Sequence, residues 1–117
     1  MIKSSQIFKL LSDETRLRLV LALAMNEYCV CELVGMLNIP QPKISKHLAM
    51  LKSESIVQSR REDKYIFYTL NDTFPMLSNI VETVLKHETE NPIIIKDIKA
   101  RETIQSQKES GLKIVCL

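Results

Sequence analysis

The sequence is short of the features that most quickly assign a protein to a class. Its 117 residues carry 16 Lys and Arg against 14 Asp and Glu, a net charge of only +2. Nucleic-acid binding therefore cannot be argued from total charge, although a local basic face stays open, because the field follows where charges cluster. Glycine occurs twice and proline four times, with no low-complexity segment and no internal repeat, which leaves few places for linkers. The longest apolar stretch, LVLALAM at 19–25, falls far short of a membrane span. The opening residues, MIKSSQIFKLLSDETR, hold neither a long apolar run nor a small-residue cleavage site, so no signal peptide is expected. Three cysteines make an odd count without the spacing of a disulfide framework. These absences predict a cytoplasmic chain with no membrane partner and with reduced thiols, free to ligate a metal or to be oxidised.

What is present is patterned. The hydrophobic fraction of 45% is that of an ordinary globule, and this length supports one modest core. Ser12, followed by Asp13 and Glu14, reads as a helix start: a capping hydroxyl, then acids facing the positive end of the dipole. The helix runs on through TRLRLVLALAMNE with Leu17, Val20, Leu21 and Ala24 on one stripe, and SSQIFKLL before it reads as a shorter amphipathic helix. A third helix at 30–38 sets Val30, Leu33, Val34 and Leu37 at helical spacing and stops at NIPQP. A fourth, QPKISKHLAMLKSES, takes Pro42 in its first turn, where a missing N–H costs little, and buries Ile44, Leu48 and Leu51. The period then changes: IVQSRR and YIFYTL are β-rich runs parted by EDK, a hairpin over 56–70. A helix at 74–88 carries Leu77, Ile80, Val81, Val84 and Leu85, Pro92 interrupts, and 93–117 reads as a weaker helix with a loose end. The expected fold class is mainly α with a β-hairpin wing, a winged helix-turn-helix of helices plus one two-stranded antiparallel hairpin. Residues 1–90 would form the DNA-binding and dimerisation domain, and 91–117 a partly helical C-terminal extension.

This order of elements suggests DNA as a partner, and the fourth helix supplies a surface for it. Stepping about 100° per residue from Ile44 puts Pro42, Lys46 and Ala49 opposite the core, flanked by Lys43 and Ser45. A face so small and polar can sink into a major groove, with Gln41, Ser45 and Lys46 reaching base edges and Lys43 meeting phosphates. On its own it could equally be a solvated helix face. Arg60, Arg61 and Lys64 cluster at the hairpin, as a backbone or minor-groove contact requires, although charge on an edge strand also guards against aggregation. Two basic elements around one small-residue helix favour DNA. His47 lies beside the buried seam, and packing or a phosphate contact suits it better than metal ligation.

Cys29 and Cys31 stand one residue apart at the start of the third helix. Within a regular helix, residues i and i+2 point about 200° apart and could not share an ion. At a helix start, however, backbone N–H groups are unsatisfied and the first turn unwinds readily, which would bring two thiolates together. The helix N-terminus is also expected to lower the thiol pKa. Two soft sulfurs without a nearby histidine favour a thiophilic ion, whereas structural zinc would want four ligands. The plainer alternative is that free cysteines, among the most buried of residues, merely pack.

At CVCELVGMLNIPQPKISKHLAML the sequence resembles the ArsR/SmtB family of winged-helix metal-sensing repressors, in particular its arsenic-responsive branch. SDETRLRLVLAL is similar to the family's second-helix signature and RREDKYIFYTL to its wing, so the resemblance covers about residues 5–88. It implies a homodimer, joined through first and last helices, that binds operator DNA when ligand-free and is released when As(III) or Sb(III) binds Cys29 and Cys31. The inducer would be the metalloid, with no organic cofactor. Arsenic-binding members often have a third cysteine where this chain has Val34; either two sulfurs suffice or Cys116 supplies the third. Of the zinc-sensing pattern on the last helix, His87 and Glu90 fit the second half, but Met76 and Phe74 stand where His and Asp belong. Asp63 takes the usual glycine position of the wing turn, and Asp tolerates positive φ there.

The expected function is thus repression of an arsenic-resistance operon. The nearest alternative is a redox-responsive or other soft-metal sensor, for cadmium, lead or zinc, on the same thiols. An enzyme is not expected, since a thiol oxidoreductase would need a βαβ context and normally C-x-x-C. A winged-helix module that binds only protein would lack salt-dependent operator binding.

Overall fold

The computed structural model describes residues 3–88 and 90–109. Helix α1 (Ser4–Leu11) buries Ile7, Leu10 and Leu11 against α2 (Glu14–Met25). The cap between them is Asp13 rather than Ser12. The Asp13 carboxylate accepts from the Arg16 N–H at 3.1 Å, whereas the Ser12 hydroxyl donates back to the Lys9 carbonyl at 2.6 Å and ends α1. The one-residue shift follows from backbone geometry, since Ser12 is still right-handed helical and Asp13 is the first extended residue.

Helix α3 (Val30–Leu37) and helix α4 (Gln41–Ser53) are joined by a three-residue turn. Asn38 makes that turn with φ 54° and ψ 47°, the left-handed cap that Asn tolerates, and its N–H bonds the Val34 carbonyl at 2.9 Å. Ile44, Leu48 and Leu51 of α4 are fully buried, packed with Leu19 and Val20 of α2 and Leu33 and Leu37 of α3.

Strands β2 (Val57–Glu62) and β3 (Tyr65–Leu70) form the hairpin, paired from Val57↔Leu70 to Glu62↔Tyr65, with Asp63 at φ 59° in the turn. The sheet has a third strand beyond the expected two. Segment β1 (Tyr28–Cys29) pairs antiparallel with β3 as Tyr28↔Tyr68 and Cys29↔Phe67, giving the order β1-β3-β2. Two residues are too short to show a period of two, so only the partner strand reveals them.

Helix α5 (Pro75–His87) buries Leu77 and Val81 and leaves Ile80, Val84 and Leu85 half-covered. Helix α6 (Pro92–Glu109) packs against α3 and α2 through Ile94 and Ile104. Among the described residues no helix is long and apolar enough to cross a membrane.

Candidate DNA-binding surface and thiol site

On α4, Gln41, Pro42, Lys43, Lys46 and Ala49 are exposed and Ser45 is half-buried. The Gln41 amide donates to the Ser45 hydroxyl at 3.2 Å, which aligns two of the groups expected to face bases. His47 sits only 60° from the centre of the buried stripe by the same helical stepping and is 8% exposed. Its Nδ1 lies 3.4 Å from Nη1 of Arg16, and burial pushes its pKa down. The structure thus puts His47 beneath the outward face, between α2 and α4.

On the wing, successive side chains leave opposite faces of the strand, and this separates two neighbouring arginines. Arg60 is held by Glu27, with Nε to Oε2 at 2.7 Å and a second bond from Nη2, and by Glu62 at 2.8 Å. Its guanidinium also lies 4.9 Å from the Phe67 ring centroid. Glu27 and Glu62 together hold the Arg60 pKa well above the ordinary arginine value. Arg61, by contrast, bonds only the Asp63 carbonyl, at 3.1 Å, among the interactions described for it, and with Lys64 it stands exposed at the hairpin tip.

Cys29 is the N-cap of α3, in extended backbone with φ −87° and ψ 169°, and the helix proper begins at Val30. The opposed directions of i and i+2 on a helix therefore do not apply to the pair. Cys29 and Cys31 instead line one open cleft of about 460 Å³, together with Val30, Ser45 of α4, and Lys64, Tyr65, Ile66 and Tyr68 of the wing. Cys29 and Glu32 form a capping box, in which the Cys29 N–H donates to the Glu32 carboxylate at 3.0 Å.

Two properties of the thiols differ from expectation. Burial pushes the Cys29 pKa up, overriding the Glu32 N–H that would lower it, because the thiol is 7% exposed and close to a carboxylate. Cys31, half-buried, is disulfide-bonded in this structure. Cys116 lies outside the described residues. Among the described residues, no group of three or more His, Cys, Asp and Glu side chains is arranged to hold a metal ion.

Sequence reasoning missed Glu32 and Lys108. Glu32 is 4% exposed, and its second carboxylate oxygen is 3.1 Å from the Lys108 ammonium of α6. The three-residue spacing of Cys29 and Glu32 is the capping-box signal, disguised by a cysteine where Ser or Thr is usual. No local pattern could have paired Glu32 with a residue 76 positions later.

A helix-turn-helix whose second helix turns a small polar face outward beside a basic hairpin defines a winged-helix DNA-binding protein. The description "Bacterial regulatory protein, arsR family" matches residues 13–59. The chain is 39% identical over 107 residues to the arsenic resistance transcriptional regulator ArsR2 of Pseudomonas putida KT2440, a match covering 86% of this chain and 93% of that one. It is 45% identical over 71 residues to the arsenical resistance operon repressor of Escherichia coli K12, covering 60% of this chain and 61% of that protein. The crystal structure of the AntR antimony-specific transcriptional repressor superposes with a TM-score of 0.64 at 29% identity, over 77% of this chain and 86% of that one. The protein belongs to the ArsR family and is a transcriptional repressor of the ArsR/SmtB type.

Proposed function

We propose that the protein represses an arsenic-resistance operon as a homodimer and leaves its operator when As(III) or Sb(III) binds the reduced thiols of Cys29 and Cys31. The observation that carries this reading is the shared cleft, in which both cysteines meet Ser45 of α4 and four residues of the wing. Each As–S bond forms as a thiol proton and an arsenous-acid hydroxyl leave together as water. Cys29 is paired in backbone register with Phe67 of β3, so a shift of its chain is felt by the wing. The names of the relatives, two arsenic regulators and an antimony-specific repressor, favour this ligand class.

Gln41, Ser45 and Lys46 are assigned to base edges, and Lys43, Arg61 and Lys64 to phosphates. Phe8, 58% exposed on α1, and the half-covered stripe of α5 supply apolar surface for a second copy. A two-fold dimer sets its recognition helices about 34 Å apart, so the operator should be an imperfect inverted repeat.

The test is arsenite-driven dissociation of the fully reduced protein from promoter DNA. Cys29→Ser and Cys31→Ser should each bind the promoter and each fail to release, because a single thiol cannot chelate. A ligand shifts an equilibrium only by its differential affinity for the two states. Cys116→Ser should still release. Normal release in Cys29→Ser or Cys31→Ser, with no release in Cys116→Ser, would overturn the assignment.

A further inference from the structure

Lys108 stands where four elements converge. It is the counter-charge of Glu32 at 3.1 Å, and it lies 5.2 Å from the ring centroid of Tyr28 in β1 and 5.9 Å from that of Phe67 in β3. The Glu32 carboxylate is nearly removed from water and spends its other oxygen on the Cys29 N–H. A buried carboxylate needs a partner cation, and a charge-assisted bond to it is stronger than a neutral one. The chain Lys108–Glu32–Cys29 therefore ties the end of α6 to the backbone of the first thiol residue.

We propose that Lys108 and Glu32 are positioning residues that clamp the opening of α3 and so set the metalloid concentration at which the repressor responds. Drawing Cys29 and Cys31 onto one ion distorts the turn that the capping box holds. The ligand must break or bend the Glu32–Cys29 bond, and Lys108 raises the cost by fixing the carboxylate. Neither residue belongs to the DNA-facing surface. The threshold part of this inference rests on the proposed thiol sensing, whereas the clamp itself does not.

Two measurements on the full-length reduced protein separate them. In hydrogen exchange without any metalloid, Lys108→Met should exchange the Cys29 amide about fivefold faster than the parent, with Lys108→Arg restoring protection. In arsenite titrations on promoter DNA, Lys108→Met should release at about fivefold lower arsenite with unchanged ligand-free affinity. In a Glu32→Gln background the same substitution should add nothing, because the coupling runs through that carboxylate. Unchanged Cys29 exchange, or a Lys108→Met effect that persists in full in Glu32→Gln, overturns the clamp. Faster exchange in a protein whose parent ignores arsenite would instead overturn the sensing assignment and leave the clamp standing.

Discussion

Arg18 and Arg60 each grip a carboxylate through the Nε–Nη2 edge of the guanidinium, but in opposite surroundings. Arg18 holds both oxygens of Asp97 at 2.8 Å and donates to the Leu37 carbonyl at 2.7 Å, with side chains only 13% and 11% exposed. That pair joins α2, the end of α3 and α6. Arg60 bonds Glu27 and Glu62 with its own side chain 50% exposed and that of Glu62 64% exposed. The chemistry is shared, and the difference is what could replace a partner. Inside, nothing can, so the pair fixes architecture; outside, water can, so the pair only sets where a wing charge rests.

The largest effect should come from the buried member. Asp97→Ala leaves a guanidinium uncompensated between three helices and should cost about 3–5 kcal/mol in urea unfolding. A midpoint like that of the parent would mean that water reaches Arg18, and the contrast would collapse.

Next come the exposed cations that no carboxylate holds among the described residues. Lys46→Ala and Arg61→Ala should each weaken operator binding by about 1–3 kcal/mol without altering unfolding, and Arg61→Ala should also flatten the salt dependence. Arg60→Ala should lose less, since Glu27 and Glu62 already neutralise it. Equal losses for Arg60 and Arg61 in fluorescence anisotropy would show that DNA strips the carboxylates away.

Glu27→Gln sharpens the comparison from the other side. Stability should change by less than about 1 kcal/mol, as for exposed pairs generally, while the freed Arg60 should raise operator affinity modestly. Arg60 holds the Glu27 carboxyl below the usual carboxylate range. A lowered folded-state pKa gives stability that is present above that range and lost as pH falls through the lowered value, so the variant should lose less on acidification.

The smallest effect concerns His47. Burial lowers its pKa from 6.5, so below that value the unfolded chain takes up a proton that the native site resists, beside the Arg16 guanidinium. Stability should decline as pH falls from about 6.5 toward the lowered pKa. Thermal unfolding of His47→Gln across this range should show a flatter limb.

Most helices were legible because their information is local. Apolar spacing placed α3, α4 and α5 within a residue or two, and Pro42 fell in a first turn, where its missing N–H costs little. Ser12 misled because both Ser and Asp are good caps, and only the backbone angles chose between them. At the site, the outward residues of α4 followed from helical stepping, but the partners of Arg60 did not, since Glu27 is 33 positions away. The direction of the Cys29 pKa was misjudged because burial penalises the thiolate more than the N–H groups of the helix start favour it.

The sequence by itself determined the order of helices and hairpin, the apolar stripes that build one core, the outward face of α4 and the nearness of two cysteines to a helix start. Each is a matter of residues within about two helical turns of one another, where spacing and dihedral preference suffice. Tertiary structure alone decided that Cys29 belongs to a strand paired with the wing, that one cleft collects both cysteines with Ser45 and Tyr65, and that Glu32 is answered by Lys108 and Arg18 by Asp97. Those pairings depend on which charges lose their water when the core closes, and desolvation is a property of the assembled fold rather than of any segment.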